Sequence, residues 1–379
     1  MPFASSTALV RYFLSAFLLA TVTLTAAQAS ARPIIYDTDM AIDDWLGLLY
    51  LLAEPSTDVV GITISASGES HCQPGLDNAR NLLSLAGKSE VPVACGDDYP
   101  LEGFFVFPDP WQVDSDTLSG IDMSQWIDNP VSNTASDGHA VDLIHQIISA
   151  SPEPVGIVAV GPMTNMAQWL ARYPADRERV SELIMMGGSY RAPGNIIVPN
   201  ITADNPNTVS EWNFYIDPIA AKQTLEADKL AKVMVGLDVT NTVRITHPFA
   251  DQFKARVSGP VSEFVDQVFD KNRWFIDTKE YYFWDVMAAV VAAQPSLCGG
   301  DAIPVTAVAE FAGPSPFLKS SDTSMPKVNA AGGTRLHLAA ATAGQVVDAE
   351  AGAVTKVCMQ TDGDRVFAAF TNALTGYSP

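Results

Sequence analysis

Several features that often reveal a protein's function are scarce or missing in this chain of 379 residues. Basic residues are few, since 22 Lys and Arg stand against 43 Asp and Glu, and the formal net charge is -21. Such a surface repels nucleic-acid phosphates and anionic membranes, so neither is expected as a partner. The chain also lacks a glycine-rich phosphate loop. The negative charge and the absence of this loop argue against a hydrolase that acts on phosphate groups. The negative charge suits a neutral or cationic ligand.

The chain also has only four cysteines. The spacing of Cys72, Cys95, Cys298 and Cys358 fits no zinc-binding motif. In an exported protein these four residues allow two disulfides, with three pairings open.

Long apolar runs are also missing, because the longest at the N-terminus, residues 12–24, is short for a membrane span. Arg11 precedes this run, and the small residues Ala27 and Ala29 follow it. This pattern predicts a signal peptide over residues 1–29, with an uncleaved anchor as the alternative. We therefore expect a periplasmic or secreted protein that has no membrane association after cleavage.

The remaining chain alternates short apolar runs with amphipathic segments, and we find no internal repeat or linker that would divide it. Strands are predicted at residues 34–37, 59–65, 91–95, 155–160, 183–186 and 233–237, and helices at 45–53, 76–86, 140–149, 163–172 and 218–226. This alternation is typical of an α/β protein with a Rossmann-like, open, mostly parallel sheet flanked by helices. We expect a single domain over residues 30–379.

Two regions depart from this alternation. Residues 96–137 are acidic, aromatic and rich in proline, which predicts a large loop or insertion. Near the end, runs at 304–310, 337–341 and 354–359 and a helix at 364–374 predict a small additional C-terminal β element.

Carboxylates cluster where the first predicted strand ends. The stretch IIYDTDMAIDDW, residues 34–45, holds Asp37, Asp39, Asp43 and Asp44. Helix capping would account for Asp43 and Asp44 but not for the other two. Four like charges at a strand end indicate a hard divalent cation such as Ca²⁺ or Mg²⁺. An EF-hand does not fit the spacing, and a phosphatase with an aspartyl nucleophile does not fit because Ala41 replaces the expected Thr.

The residues around this cluster resemble the inosine-uridine preferring nucleoside hydrolase family. DTDMAIDD is similar to its Asp-x-Asp-x-x-x-Asp-Asp fingerprint. Further matches follow in the family's order over about 250 residues: VGPMTNMA (160–167), MMGG (185–188), GN (194–195), EWNFYIDP (211–218), LDVTNT (237–242) and YYFWD (281–285). The resemblance implies hydrolysis of the N-glycosidic bond of nucleosides.

The resemblance also implies one Ca²⁺ at the base of the pocket. Its ligands would be Asp39, Asp44, Asp285 and the backbone carbonyl of Thr164, with a water and ribose hydroxyls completing the six to eight oxygens that Ca²⁺ takes. A cation lowers the pKa of a bound water, and Asp39 would take the proton as general base. Attack on the anomeric carbon would then pass through an oxocarbenium-like state.

Other residues are assigned to the sugar by the same resemblance. Asp43 and Asp285 would face the ribose hydroxyls, Met186 would pack beneath the sugar, and Asn195, Glu211 and Asn213 would bind the 5′- and 3′-hydroxyls. A turn or helix-cap role is the alternative for the last three. Glu69, in SGES, stands where the family has Asn or Asp, and either contacts the base or lines the entrance.

One departure from the family narrows the substrate. In its pyrimidine-accepting and nonspecific branches, the residue before the last metal ligand is a histidine that protonates the leaving base, whereas this chain has Trp284. A purine can instead accept a proton from solvent at N7 if the charged base stacks between aromatic rings, each worth ~0.5–2 kcal/mol. Similarity to the purine-specific branch makes Trp111, in FPDPW, the expected second ring, with Phe104 or Phe105 as alternatives.

These features predict an exported, Ca²⁺-dependent hydrolase that splits purine ribonucleosides into free base and ribose. The alternative is a Ca²⁺-dependent nucleoside or sugar binding protein without turnover. Resemblance to the purine-specific branch also implies a homodimer.

Overall fold

A computed structural model describes residues 1, 31–101, 107–203, 205–309 and 341–379. Apart from Met1, the predicted signal peptide at residues 1–29 lies outside the described residues, as do Phe104 and Phe105. The described residues from Ala31 onward belong to one compact unit. No helix in these ranges is both long and apolar enough to cross a bilayer.

Nine strands make up the sheet in the described part of the chain, in the order β3-β2-β1-β4-β5-β6-β9-β7-β8. Their bounds are β1 Arg32–Thr38, β2 Thr57–Ile64, β3 Val93–Cys95, β4 Val155–Ala159, β5 Val180–Met186, β6 Lys232–Val235, β7 Ala302–Ala307, β8 Val346–Asp348 and β9 Val354–Val357. Strands β1 to β6 are all parallel, which confirms the predicted open parallel sheet.

Thirteen α-helices accompany these strands in the same described ranges. They are α1 Ile42–Ala53, α2 Cys72–Leu85, α3 Asp109–Asp116, α4 Ala140–Ala150, α5 Thr164–Arg172, α6 Trp212–Ile216, α7 Pro218–Glu226, α8 Leu237–Thr240, α9 His247–Lys254, α10 Pro260–Lys271, α11 Arg273–Thr278, α12 Trp284–Ala293 and α13 Gly363–Gly376. The region expected to be a large loop contains α3, so that expectation was incomplete.

The central strands are apolar because helices cover both faces of the sheet. Ile34, Ile35 and Tyr36 of β1 are almost completely buried. Strand β1 lies between β2 and β4, and Asp37 pairs with Ala159. Strand order reverses between β1 and β4, and ligands of open α/β sheets bind outside the carboxyl ends of strands at such a point. The fold therefore places the residues that follow β1 and β4 at the expected site.

The C-terminal β element is confirmed in part. Strand β9 extends the sheet in parallel beside β6, and β7 and β8 follow in antiparallel pairings. The short strand β8 was not predicted, and the strand expected at 337–341 lies mostly outside the described residues. The last helix, α13, matches the prediction.

Two disulfides connect the four cysteines. Cys72 pairs with Cys95, which fastens the start of α2 to the end of β3, and their Cα atoms are 5.9 Å apart. Cys298 pairs with Cys358 next to β9, with a Cα separation of 5.0 Å. The structure thereby selects one of the three pairings that the sequence allowed.

Candidate active site

Four carboxylates from separate segments converge at the switch point of the sheet. Asp39 directly follows β1, Asp43 and Asp44 lie in the first turn of α1, and Asp285 lies in the first turn of α12. Helices α1 and α12 pack against each other, which brings residues some 240 positions apart into contact. All four are buried, with 8% or less of their surface exposed. We call Asp39, Asp43, Asp44 and Asp285 the acidic cluster.

Distances within the acidic cluster are short. Carboxylate oxygens of Asp43, Asp44 and Asp285 lie within 4.8 Å of one another. The backbone N–H of Asp285 donates to Asp43 Oδ2 at 3.3 Å, and that of Asp39 donates to Asp44 Oδ1 at 3.1 Å. The sequence placed Asp43 at the sugar, but the structure groups its oxygen with those of two expected metal ligands.

The electrostatics of the cluster favour the neutral carboxyl forms. Burial raises the pKa of Asp43 to about 7, helped by the neighbouring charge of Asp44. Burial and the charges of Asp44 and Glu69 raise the pKa of Asp39 well above its ordinary range. Burial and the charges of Asp43 and Asp44 do the same to the pKa of Asp285. Four buried acids that repel one another need a positive charge to ionise together.

The donor set fits a divalent cation. Among the described residues, no Lys, Arg or His forms an ion pair with the acidic cluster. Asp44 Oδ2 is buried and has no hydrogen-bond partner, although buried polar atoms nearly always have one. All the side-chain atoms that could bind a metal here are carboxylate oxygens, which hard cations prefer as ligands. A cation would satisfy the unpaired oxygen and offset the repulsion at once.

Backbone contacts fix the position of Asp39. Its Oδ2 accepts from the backbone N–H of Glu69 at 2.9 Å. A Cβ atom on Gly68 would lie 2.3 Å from the Asp39 side chain, and one on Gly161 would lie 2.9 Å from its backbone nitrogen. Only glycine allows such close approach. The glycines in SGES and VGPM were therefore signals for this site that the sequence analysis did not use.

The turn between β1 and α1 is strained and locally compensated. Met40 has φ of 57°, in the left-handed region that costs a non-glycine residue about 1–2 kcal/mol. Its N–H donates to Thr38 Oγ1 at 2.9 Å, and its carbonyl accepts from Trp45 Nε1 at 2.7 Å. These two hydrogen bonds hold the turn in place.

Asp37 has a different role from the other early aspartates. Its Oδ1 accepts from Thr63 Oγ1 at 2.5 Å and from Asn165 Nδ2 at 2.8 Å. These bonds tie β1 to β2 and to the start of α5. Asp37 thus has structural partners in two other segments, whereas the grouped carboxylate oxygens are those of Asp43, Asp44 and Asp285, with Asp39 linked to them through its backbone N–H.

Thr164, expected to supply a backbone carbonyl to the metal, is the first residue of α5 and is buried. Its hydroxyl donates to Asp217 Oδ2 at 2.7 Å and lies 2.8 Å from the hydroxyl of Ser67. Thr164 lies after β4, at the switch point, and the role of its carbonyl as a metal ligand stays a prediction.

The residues expected to bind the sugar have internal partners. Glu211 caps α6, and its carboxylate accepts from the backbone N–H groups of Asn213 and Gly188, each at 2.8 Å. Asn213 Nδ2 donates to the carbonyls of Val160 and Met186. The helix-cap alternative is thus observed for Glu211, and its contact with a sugar stays a prediction. Burial raises the pKa of Glu211 to about 7.

Asn195 and Met186, the other two residues expected at the sugar, have different surroundings from Glu211 and Asn213. Asn195 Oδ1 is buried without a hydrogen-bond partner, so it is available to a ligand. Met186 ends β5 and is 2% exposed. Glu69 also lies nearby, where its Oε1 accepts from Ser115 Oγ at 3.1 Å, and burial together with the charges of Asp43 and Asp44 raises its pKa to about 8.

The aromatic residues form two separate groups. Trp284, at the start of α12, has its ring centroid 5.6 Å from that of Tyr282 and 6.0 Å from that of Phe275. Its Nε1 is buried and unpaired. Trp111, in α3, has its ring centroid 5.2 Å from that of Trp212 and 6.4 Å from that of Phe107. The described ring contacts include none between Trp111 and Trp284, so their pairing around a base stays a prediction.

Histidines of the described chain all face aspartates outside the acidic cluster. They pair as His71 with Asp116, His139 with Asp97, His145 with Asp176 and His247 with Asp277. His337 lies outside the described residues. None of the four described histidines is therefore placed to act as the acid that the pyrimidine-accepting branch uses.

Comparison with known proteins agrees with this geometry. Residues 34–368 match the family described as inosine-uridine preferring nucleoside hydrolase. The chain is 32% identical over 240 residues to the pyrimidine-specific ribonucleoside hydrolase RihA of Citrobacter koseri, covering 63% of this chain and 70% of the relative. It is 30% identical over 241 residues to the protein of that name from Photobacterium profundum, and this match covers 63% of this chain and 71% of that relative.

Solved structures show the same fold. The inosine-uridine preferring nucleoside hydrolase from Bacillus anthracis superposes with a TM-score of 0.71 at 20% identity, covering 91% of this chain and 99% of that one. The purine-preferring ribonucleoside hydrolase from Gardnerella vaginalis gives a TM-score of 0.69 at 22% identity, with the same coverage. At these identities the likeness concerns the fold alone.

Proposed function

Since the chain belongs to the inosine-uridine preferring nucleoside hydrolase family, we propose that it hydrolyses purine ribonucleosides to free base and ribose in a Ca²⁺-dependent reaction. Hydrolysis of an N-glycosidic bond is the activity of the family. The metal, the purine preference and the cellular location are the proposed parts.

The residue that carries the purine preference is Trp284. It lies one position before Asp285, at the start of α12, and its Nε1 is buried without a hydrogen-bond partner. The four described histidines pair with other aspartates, which leaves no described imidazole to protonate a leaving pyrimidine. An aromatic face stabilises a purine that is protonated at N7 by a cation–π interaction.

The acidic cluster would hold the metal through Asp39, Asp44, Asp285 and the Thr164 carbonyl, with the Asp43 oxygen close by. Bound there, Ca²⁺ would lower the pKa of a water and anchor the ribose diol. Asp39 is the general base, because Glu69 N–H and Gly68 hold its carboxylate in place. Burial excludes bulk water and strengthens each of these interactions.

Asn195, Glu211 and Asn213 orient the sugar, and Met186 packs beneath it. The unpaired Asn195 Oδ1 supports a hydrogen bond from a sugar hydroxyl. For Glu211 the support is weaker, because its carboxylate already accepts several backbone N–H groups. We therefore assign Asn195 the larger share of sugar binding.

Pyrimidine hydrolysis is the second candidate, because the relatives RihA from Citrobacter koseri and Photobacterium profundum are named pyrimidine-specific. This candidate requires another proton donor in place of the missing histidine. Glu69, whose pKa is raised to about 8 by burial and by the charges of Asp43 and Asp44, is protonated near neutral pH and is the described acid that we would assign to this role. Uridine turnover that exceeds inosine turnover would favour it.

The test is to strip the purified protein of metal with a chelator, add back Ca²⁺, and measure ribose release from inosine and uridine. We expect Ca²⁺-dependent release of hypoxanthine and ribose from inosine, with uridine much slower. Binding of inosine without ribose release would instead identify a binding protein. Release that does not depend on a divalent cation would contradict the proposed metal.

We also propose that the protein is exported and that residues 1–29 are its signal peptide. The two disulfides support this, since such bonds persist mainly in oxidising compartments. Expression in a bacterial host, fractionation and N-terminal sequencing would test it, and a mature cytosolic chain that begins at Met1 would contradict it. The homodimer stays a prediction that light scattering can check.

A further inference from the structure

Asp217 is a buried carboxylate that connects three segments around the site, and it is not among the residues assigned to metal, sugar or base. It is 1% exposed and lies between α6 and α7. Its Oδ2 accepts from Thr164 Oγ1 at 2.7 Å and from the backbone N–H of Leu101 at 2.8 Å. Its Oδ1 accepts from the N–H of Ala220 at 3.0 Å, which caps α7.

The contact with Thr164 matters because α5 begins there without a cap of its own. Met163, the residue before the helix, makes no side-chain capping hydrogen bond. The Thr164 hydroxyl has one proton, which it donates to Asp217, so its oxygen accepts from Ser67 Oγ at 2.8 Å. The first residue of α5 is therefore fixed from two sides, by Asp217 and by the loop that follows β2.

The contact with Leu101 links the same carboxylate to another segment of the chain. Leu101 is the last described residue before segment 102–106, and the described chain resumes at Phe107, four positions before Trp111. One oxygen of Asp217 thus holds both the start of α5 and the segment that leads toward α3.

We propose that Asp217 is a positioning residue, which sets the place of the Thr164 carbonyl toward the cation and fixes the segment at Leu101. This inference rests on the proposed function, because it assumes that the Thr164 carbonyl is a metal ligand. Groups that orient metal ligands typically change metal affinity by about 10- to 100-fold when they are mutated. Asp217 should therefore act on Ca²⁺ affinity without touching the metal.

Asp217→Asn is the most informative variant. Asparagine has one accepting oxygen in place of two, so it cannot accept from Ala220 on one side and from Thr164 and Leu101 on the other. We expect Ca²⁺ affinity, measured by calorimetry, to fall about 10- to 100-fold. Thr164→Val removes the same hydrogen bond from the other side, together with the one from Ser67, and should cause a loss at least as large, whereas Thr164→Ser keeps the hydroxyl and should bind Ca²⁺ like the wild type.

The double variant Asp217→Asn with Thr164→Val separates this contact from a general loss of stability. Because both changes remove one shared contact, the double variant should lose little more affinity than the worse single variant. Asp362→Asn is the matched control, since Asp362 caps α13 by accepting from Arg365 N–H and supplies nothing to the site. It should keep wild-type Ca²⁺ affinity.

The outcomes distinguish this inference from the proposed function. Wild-type affinity in both Asp217→Asn and Thr164→Val would overturn the inference alone, and so would an equal loss in Asp362→Asn. A wild-type protein that binds no Ca²⁺ would overturn the proposed function and the inference with it. If Asp217→Asn does not fold, the comparison of Thr164→Val with Thr164→Ser decides.

Discussion

The acidic cluster and the aromatic side of the site are built in different ways. The cluster takes its carboxylates from the end of β1 and from the first turns of α1 and α12, all of which are buried. The proposed aromatic side would combine Trp284 on α12 with Trp111 on α3, whose rings belong to separate groups among the described contacts. The acidic cluster is therefore held by the sheet and by buried helices. The proposed aromatic side depends in part on α3, which lies in the long connection at residues 96–137.

This difference indicates where the chemistry and where the selectivity lie. Groups on rigid elements hold their geometry to fractions of an ångström, which catalysis requires. Loops vary more readily and often determine what binds. We therefore expect changes in the acidic cluster to abolish the reaction and changes on the aromatic side to alter its rate and substrate preference.

The largest effect should come from Asp39→Ala. Loss of a general base typically costs about 10²–10⁴-fold in rate, and this change should also abolish Ca²⁺ binding because Asp39 is an expected ligand. Ribose release from inosine and calorimetry with Ca²⁺ measure both effects. Asp58→Asn, an exposed carboxylate on β2, is the control and should behave as wild type. Substantial turnover in Asp39→Ala would place the base elsewhere.

The next largest effect is a dependence of Ca²⁺ affinity on pH. Without metal, Asp43 in the folded protein has a pKa of about 7, whereas in the unfolded chain its pKa is near 3.8. Ca²⁺ must displace the proton that Asp43 holds, so its affinity should rise about tenfold per pH unit below pH 7, and by up to about 100-fold from pH 5 to pH 7.

The same shift determines how stability depends on pH. Because the folded pKa is raised, the folded state binds more protons than the unfolded state between pH 4 and pH 7. The metal-free protein should therefore lose stability as the pH rises through this window, and Ca²⁺ should raise the melting temperature more at pH 8 than at pH 5. Equal stabilisation by Ca²⁺ at both pH values would contradict the described carboxyl cluster.

Trp284→Ala should have a smaller effect that is confined to turnover. Loss of a cation–π contact of up to ~2 kcal/mol corresponds to a fall of about 30-fold in kcat on inosine, with Ca²⁺ affinity nearly unchanged. Trp284→Phe keeps an aromatic face and should retain more of the rate. Unchanged turnover in Trp284→Ala would mean that this ring does not stabilise the leaving base.

Trp111→Ala should have the smallest effect. Its ring packs on Trp212 and Phe107 and lies on α3, so we expect a change of a few-fold, mainly in KM for inosine, from a contact of about 0.5–1 kcal/mol. Trp111→Phe is the matched control. A loss as large as that of Trp284→Ala would show that both rings enclose the base equally and that the two sides of the site differ less than we infer.

The sequence predicted the acidic half well because its signals are local. Asp39 and Asp44 follow a buried strand within a few residues, and Thr164 follows β4, the strand next to β1 at the switch point. Asp285 was assigned to the site because YYFWD resembles a family motif. The packing of α12 on α1 brings its carboxylate to those of Asp43 and Asp44. The separate role of Asp37 was not foreseen, because its partners Thr63 and Asn165 come from other segments.

The aromatic half was harder to predict because neither spacing nor periodicity fixes how a long connection folds. Helix α3 lies inside a region that its prolines and acids made resemble a loop, and Trp212, one of the two ring partners of Trp111, is about 100 positions away in sequence. Glu211 shows a further limit, since a carboxylate that caps a helix and one that binds a sugar occupy the same motif. Such roles depend on tertiary contacts that the sequence does not display.

The most direct test is a crystal structure of the protein grown with saturating Ca²⁺, with anomalous scattering measured at the acidic cluster. We predict one ion per chain, bound by oxygens of Asp39, Asp44, Asp285 and the Thr164 carbonyl. A cluster that holds no divalent ion under these conditions would contradict the central claim.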